Sequence, residues 1–212
     1  MVNEDLNTDS GSLNKTVILI GGVPGVGKSS ISGYLAHELK FDIVLSGDYL
    51  REFIRPYLGE DYKIAMSSVY DSWQYFGDKT QENIIRGFLR QTEIMNRGIE
   101  KVFDRADQNG EKIILETLYF YPDFIQKLRN VVLPIYLYIE NEVEHKHHLE
   151  DRSNFTHPRS HGSRLSAHLF EYRLMMKKSL EFCNEHNIRT FDMTDYIGSR
   201  DKILKYVRGE FK

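Results

Sequence analysis

Short runs of apolar residues alternate with amphipathic segments along most of the chain. Runs that are nearly continuous in apolar character are typical of buried β-strands. They cover 16–21, 41–45, 112–116, 131–139 and 188–191. Segments in which apolar residues recur every three or four positions predict helices. They cover 28–39, 46–57, 65–109 and 163–186.

Strands that alternate with helices predict an α/β fold in which helices flank a five-stranded parallel sheet on both faces. Pro134 fits the fourth strand only at an edge, a bulge or an irregular end, because proline has no backbone N–H to donate. The first fourteen residues are polar, so a disordered tail is expected at 1–14. The remainder, 15–212, is expected to form a single domain.

The composition and net charge of the chain argue against several classes of binding partner. The chain has 212 residues, of which 41% are hydrophobic, enough for one core. Its formal charge of -3 gives no global positive field, so nucleic acid is not an expected partner. The run 131–139 is too short to cross a membrane, and the single Cys183 cannot form an internal disulfide. We expect a cytoplasmic protein without a membrane partner, and the sequence leaves a homodimer open.

A glycine-rich turn joins the first strand to the first helix. Residues 22–29, GVPGVGKS, match G-x-x-x-x-G-K-[ST] at every required position, in the strand-to-helix context that this motif needs. Glycine lets backbone amides approach phosphate oxygens closely, and the helix N-terminus adds further amides. A glycine-rich turn without a ligand is the alternative, and the complete motif argues against it. The predicted nucleotide-binding residues are Gly22, Val23, Pro24, Gly25, Val26, Gly27, Lys28, Ser29 and Ser30.

Within this phosphate loop, Lys28 is expected to reach the β- and γ-phosphates of ATP, and Ser29 to hold Mg²⁺. The motif alone does not separate kinases from GTPases or other ATPases. A GTPase would carry Asn-Lys-x-Asp after a later strand, whereas Asn14-Lys15 precedes the first strand and lacks the aspartate. The short chain favours a small-metabolite kinase.

Acidic and basic residues follow the second and third strands, at the sheet edge where ligands collect in open α/β folds. Asp48 can orient or deprotonate an acceptor hydroxyl, and Arg51 and Arg55 on the same helical face suit an acceptor carboxylate or phosphate. Alternatively, Asp48 caps the helix and the arginines lie in solvent. Glu116 ends the third strand, where it is predicted to act with Ser29 on Mg²⁺ or its waters, unless it is an ordinary strand-end acid.

The segment that follows the fourth strand predicts a lid at about 150–164. It is irregular and rich in arginine, so it can bring positive charge to a transferring phosphoryl group and exclude water. The arginines are Arg152, Arg159 and Arg164. Five histidines in or before this segment match no standard zinc spacing, and we interpret them as surface or phosphate-contacting residues. They are His145, His147, His148, His157 and His161.

Several segments together resemble the archaeal 2-phosphoglycerate kinase family. The segments are GGVPGVGKSS, SGDYLRE, SSVYDSW and RSHGSRL, and the resemblance extends from 16 to about 196. It implies a P-loop NTPase fold of the nucleoside-monophosphate-kinase type with a helical lid, ATP and Mg²⁺ as cofactors, and acceptor-side roles for Asp48 and Arg51. The chain departs from the family at Glu116-Thr117, where the family has Glu-Gly, and at 66–70, where it has His-Thr-Ser-Ser-Tyr.

These departures lie on the acceptor side, and they direct attention to a divergent branch of the family, the mevalonate 3-phosphate 5-kinases of archaeal isoprenoid biosynthesis. Tyr119, Phe120 and Tyr121 would suit the more apolar carbon skeleton of that acceptor, unless these aromatics belong to the core. We expect an ATP-dependent kinase that phosphorylates a hydroxyl of a small phosphorylated carboxylic acid, with mevalonate 3-phosphate preferred. The alternatives are 2-phosphoglycerate as acceptor, a non-catalytic ATP-binding regulator, and a polynucleotide 5′-kinase, which would require a basic groove.

The residue roles that this hypothesis predicts fall into three groups. The catalytic residues are Lys28, Asp48 and Arg152. The metal-binding residues are Ser29 and Glu116. The acceptor-binding residues are Asp48, Arg51, Arg55, Glu116, Tyr119, Arg159 and Arg164.

Overall fold

The computed structural model describes residues 15–151 and 162–211. Within these ranges, one parallel sheet has the strand order β2-β3-β1-β4-β5. The strands are β1 (Val17–Gly21), β2 (Ile43–Ser46), β3 (Ile113–Thr117), β4 (Val132–Tyr138) and β5 (Arg189–Asp192). All residues of the central strand β1 are buried, so both faces of the sheet are covered. The predicted five-stranded parallel sheet is confirmed.

Within the described residues, seven α-helices connect and flank the strands. They are α1 (Lys28–Leu39), α2 (Gly47–Ile54), α3 (Gln81–Asn109), α4 (Glu142–Glu150), α5 (Gly162–Ser166), α6 (Leu169–Glu185) and α7 (Tyr196–Glu210). Short 3₁₀ helices cover Arg55–Tyr57, Glu60–Met66, Val69–Tyr75 and Asp123–Gln126. No described helix combines the length and the apolar character that a membrane span requires.

The stretch 65–109, which the apolar spacing predicts to be helical, is divided into separate helices. One 3₁₀ helix ends at Met66, a second covers Val69–Tyr75, and α3 begins only at Gln81. Gly77 has a φ of 113°, and the hydroxyl of Thr80 accepts a hydrogen bond from the amide of Asn83, which starts α3. Mixed spacings of three and four residues fit both helix types, so the pattern could not show the break.

The predicted helix 163–186 is likewise divided into α5 and α6. His168 lies between them with φ −109° and ψ 22°, outside the helical region. The sequence pattern predicts neither α4 nor α7. It assigns the residues of α4 to the approach to the lid, and it predicts no element after residue 191.

Pro134 lies in the interior strand β4, yet its position is edge-like. Its residue partner is Leu19 on β1, and the ladder with β5 begins only at the next residue, Ile135. At the height of Pro134, β4 therefore has a neighbour on one side only, which agrees with the expectation that proline needs an edge or an irregular end.

Candidate nucleotide and acceptor site

The phosphate loop runs between the end of β1 and the start of α1. Gly25 and Gly27 have φ values of 87° and 85°, in the left-handed region that disfavours residues with a Cβ. The amide of Gly22 donates to the carbonyl of Thr117 at 3.2 Å, which fixes the entrance of the loop to β3. The N-cap of α1 is Gly27, and no side chain among the described residues caps this helix. The first amides of α1 thus remain for an anion.

Lys28 extends back across the loop that precedes it. Its Nζ donates to the carbonyl oxygen of Val23 at 3.0 Å, and its side chain is partly buried. Ser29 and Ser30 follow on the first turn of α1 and are exposed. The ammonium group and the Ser29 hydroxyl therefore lie at the same end of α1, as the motif predicts.

Helix α4 packs against the other side of the loop. His145 Nε2 lies 2.8 Å from the carbonyl oxygen of Pro24, and His148 Nδ1 lies 3.2 Å from that of Gly25. Leu149 is buried beside Gly25, where a Cβ on the glycine would come within 2.9 Å of Leu149 Cδ2. His145 is fully buried, so its interpretation as a surface residue is wrong. The ring contacts the loop backbone instead.

The acceptor side is built on α2, which begins directly after β2. A Cβ on Gly47 would lie 2.5 Å from Thr117 Oγ1, so the first turn of α2 presses closely on the end of β3. Asp48 is exposed on this turn. The N-cap position of α2 belongs to Ser46, and no capping bond from a side chain is formed there within the described chain. The capping alternative for Asp48 is therefore wrong.

Arg51 is held by a chain of hydrogen bonds that reaches α3. Its Nη1 donates to the hydroxyl of Tyr119 at 2.8 Å, and that hydroxyl donates to Gln91 Oε1 at 3.3 Å. The side-chain Nε2 of Gln91 in turn donates to the backbone carbonyl of Ile64 at 2.6 Å. Burial raises the pKa of Tyr119 to about 12, so this hydroxyl keeps its proton for Gln91.

Arg51 stays protonated although its side chain is only 16% exposed. Burial lowers the pKa of Arg51, but Tyr119, Asp48 and Glu52 outweigh burial, and the net pKa is raised. A guanidinium has five N–H donors. Tyr119 takes one donor of Nη1, and the contact of Nη2 with Glu52 is 3.5 Å long. The Nε atom is buried without a partner among the described residues, so the donors that a ligand can use are those of the two Nη atoms. Arg51 thus retains donors for an anionic ligand.

Arg55 is more fully engaged within the protein. Its Nη1 lies 2.7 Å from both carboxylate oxygens of Glu52, and its Nη2 donates to the carbonyl of Met66. The hydrogen bond from Arg55 is the largest cause that lowers the pKa of Glu52. Nε is buried without a partner among the described residues in both arginines, so the difference lies in the Nη atoms: both are engaged in Arg55, whereas Nη2 of Arg51 has only its 3.5 Å contact with Glu52.

Glu116 lies where β3 neighbours both the loop strand and the start of the acceptor helix. In the sheet register it is the partner of Ile20 on β1 and of Ser46 on β2, and it is 8% exposed. Glu116 therefore lies between the strand that leads into the phosphate loop and the strand that leads into α2, at the sheet edge predicted for the metal and the acceptor.

Comparisons with known proteins show the family of this chain. A family model described as an AAA domain matches residues 21–159. A protein named mevalonate-3-phosphate 5-kinase, from Thermoplasma acidophilum, is 46% identical over 91% of this chain and 95% of its own length. A 2-phosphoglycerate kinase from Methanopyrus kandleri is 30% identical over 90% of this chain. The chain therefore belongs to the family of P-loop kinases that contains these two relatives.

Two further findings define its place among these kinases. The chain spans 60% of the length of the Methanopyrus 2-phosphoglycerate kinase, whereas it spans nearly the whole Thermoplasma protein. Shikimate kinase from Bacteroides thetaiotaomicron superposes with a TM-score of 0.52 at 12% identity, covering 91% of this chain and 98% of that one. This likeness shows the P-loop kinase fold alone.

Several residues predicted for this kinase site are placed differently or not at all. Tyr119 is only 1% exposed, so it does not line the surface. Its hydroxyl accepts the hydrogen bond from Arg51, and the tyrosine therefore lies behind the arginine. Arg164 lies exposed on α5. Arg152 and Arg159, with His157, His161, most of the predicted lid and the predicted tail 1–14, lie outside the described residues. Within the described ranges, no group of three or more acidic, histidine or cysteine side chains could hold a metal ion.

The aromatic residues that follow β3 belong to the core of the kinase fold. Phe120 is fully buried with its ring centroid 5.2 Å from that of Tyr136, and the ring of Tyr121 lies 4.2 Å from that of Phe182. They fill space between the sheet and α6, so their interpretation as an apolar lining for the acceptor is wrong. Sequence alone could not separate the two roles, because an aromatic at a strand end serves either.

The loop geometry predicts a selective effect of Gly25→Ala. A Cβ at this backbone conformation is strained by about 1–2 kcal/mol, and Leu149 is in its way. We expect the KM for ATP to rise by about tenfold, measured under saturating acceptor. Gly33→Ala is the matched control: Gly33 is exposed on α1 and has no atom near the added Cβ, so it should keep the KM and gain up to about 1 kcal/mol of stability. An unchanged KM in Gly25→Ala would contradict the loop geometry.

The burial of His145 predicts a pH dependence of stability. Burial, together with Arg173, His148 and Lys28, lowers the pKa of His145 from 6.5, although the bond to Pro24 opposes this. As pH falls below about 6.5, the unfolded chain binds a proton that the folded protein refuses, so the free energy of unfolding decreases by up to about 1.4 kcal/mol per pH unit from this residue. Urea unfolding between pH 7.5 and 5 should show a shallower decrease in His145→Gln, and equal slopes would contradict it.

Proposed function

We propose that this protein transfers the terminal phosphoryl group of ATP to the 5-hydroxyl of mevalonate 3-phosphate. The observation that carries the proposal is the 46% identity with the Thermoplasma enzyme of that name, which extends over nearly all of both chains. A complete phosphate loop supports it, as does Arg51, whose Nη2 makes only a 3.5 Å contact with Glu52.

The nucleotide side supplies positive charge and amides. The amides at the start of α1 and the Lys28 ammonium would bind the β- and γ-phosphates, and Lys28 would exchange the Val23 carbonyl for a phosphate oxygen. Ser29 and Glu116 fit Mg²⁺, because an exposed hydroxyl and a carboxylate are the hard oxygen donors that this ion prefers. When bound, Mg²⁺ neutralises charge that develops on the phosphates.

The acceptor side matches a ligand with two anionic groups and a hydroxyl. Mevalonate 3-phosphate carries a carboxylate and a phosphate, and Arg51 can donate to either one through two nitrogens. Tyr119 and Gln91 hold the guanidinium before the acceptor arrives, so less freedom is lost on binding. Asp48 is exposed and close enough to Arg51 to raise the pKa of that arginine, so its carboxylate would lie near an acceptor bound to Arg51 and could orient the hydroxyl or take its proton.

The test is ADP formation from MgATP with a panel of acceptors. The panel contains mevalonate 3-phosphate, 2-phosphoglycerate, mevalonate, mevalonate 5-phosphate, glycerate and a 5′-hydroxyl oligonucleotide. We expect selective turnover of mevalonate 3-phosphate. Selective turnover of 2-phosphoglycerate would replace the acceptor and keep the reaction class. ATP binding without turnover of any acceptor would instead support a nucleotide-binding regulator.

A further inference from the structure

We propose that His145 and His148 on α4 are positioning residues that hold the phosphate loop with its amides already turned toward the nucleotide. This inference rests on the proposed nucleotide site and not on the identity of the acceptor. The two rings contact two successive carbonyls of the loop, those of Pro24 and Gly25, at 2.8 and 3.2 Å.

The chemistry of the contacts determines the tautomer of each ring. A backbone carbonyl only accepts hydrogen bonds, so the nitrogen that faces it must carry the proton. His145 therefore has its proton on Nε2, and His148 has its proton on Nδ1. The lowered pKa of His145 agrees with a neutral ring in a position that also faces Lys28 and Arg173.

Two fixed carbonyls determine the direction of two amides. In a trans peptide the C=O and the N–H point in opposite directions, and the described chain contains no cis peptide bond. Because the carbonyl of Pro24 faces α4, the amide of Gly25 faces away from α4. The carbonyl of Gly25 acts in the same way on the amide of Val26. Amides of this loop are the groups that cradle phosphate oxygens.

Helix α4 is itself well fixed, so it can impose this orientation. Asn141 caps the helix by accepting from the amides of Val143 and Glu144 at 2.9 and 3.2 Å. Arg173 on α6 donates to the carbonyls of Ile139 and Glu140 at 2.8 and 3.0 Å, just before the helix begins. His145, His148 and Leu149 share the face toward the loop, since they are three and four residues apart.

The order of the loop before ligand binding is the expected consequence. A loop whose amides are turned inward in advance loses less conformational freedom when ATP binds. Loss of a ring that faces a carbonyl leaves a partly buried acceptor without that donor and releases the peptide plane. The effect should appear in the affinity for ATP and should leave the affinity for the acceptor almost unchanged.

Paired substitutions distinguish positioning from packing. His145→Leu keeps the volume and removes the donor, whereas His145→Gln places an amide N–H where Nε2 was. For His148 the corresponding pair is Leu and Asn, whose amide nitrogen replaces Nδ1. His147→Leu is the control on the same helix, because His147 is exposed and faces Asp151.

The measurement is the Kd of MgATP by isothermal titration calorimetry for each variant, with the melting temperature recorded alongside. We expect the Leu variants to raise the Kd by about tenfold or more, the Gln and Asn variants to stay within about threefold of wild type, and His147→Leu to equal wild type. If His145→Leu does not fold, the half-buried His148 pair decides alone. Equal Kd values in Leu and amide variants would overturn the proposal and leave the kinase assignment intact. Absence of ATP binding by the wild type would overturn both.

Discussion

Lys28→Ala is expected to lower kcat by about a hundred- to a thousandfold and to leave the fold intact. The side chain donates to the carbonyl of Val23 in the loop, and it would supply the positive charge at the transferring phosphoryl group. A steady-state assay of ADP formation at saturating substrates measures the loss. Circular dichroism and the melting temperature should match the wild type, because Lys28 contributes little to the core.

Two variants make the result of Lys28→Ala specific. Lys28→Arg keeps the charge but not its geometry, so it should recover only part of the activity. Lys101→Ala removes a lysine that is 80% exposed on α3, far along the chain from the loop, and should behave as wild type. Wild-type activity in Lys28→Ala would mean that the loop has been assigned incorrectly.

Arg51→Gln is expected to lower kcat/KM for the acceptor by about ten- to a hundredfold while the KM for ATP stays the same. The reason is the loss of a largely buried cation whose Nη2 makes only a 3.5 Å contact with Glu52 and can donate to an acceptor carboxylate or phosphate. The assay varies the acceptor at saturating ATP and then varies ATP at saturating acceptor. The two series separate the acceptor side from the nucleotide side.

Graded variants around Arg51 test whether the hydrogen-bond chain matters. Tyr119→Phe removes the hydroxyl that holds Arg51, and should give a smaller loss in kcat/KM of the same kind. Arg55→Gln should have less effect on the acceptor than Arg51→Gln, because Arg55 is bound to Glu52 and to the carbonyl of Met66. A larger loss in Arg55→Gln, or a rise in the KM for ATP in Arg51→Gln, would contradict this account of the acceptor side.

The parts of the fold that the sequence predicted are those with local signals. The five strands and α1 follow from apolar runs and helical spacing, and the loop follows from a motif whose residues are contiguous. Asp48 and Arg51 are predicted for the acceptor side because parallel strands end at one edge of the sheet, where their carboxyl ends meet.

The parts that were missed depend on distant contacts. Helix α4 has few apolar residues, Val143 and Leu149, so no helical stripe shows in its sequence. Its partner, the phosphate loop, lies more than a hundred residues earlier, and nothing local in a histidine-rich segment indicates which rings are buried there. Tyr119 shows the same limit, because a tyrosine behind an arginine and a tyrosine in a pocket have the same sequence.

The proposed reaction is tested most directly by the ³¹P NMR spectrum of a mixture of the protein, MgATP and mevalonate 3-phosphate. A new phosphomonoester signal, coupled to the two protons of carbon 5 and growing together with ADP, is the predicted result, and it should be absent with Lys28→Ala. A spectrum in which ADP forms without a new phosphoester, or in which mevalonate 3-phosphate stays unchanged while ATP is bound, would contradict the proposed transfer to the 5-hydroxyl.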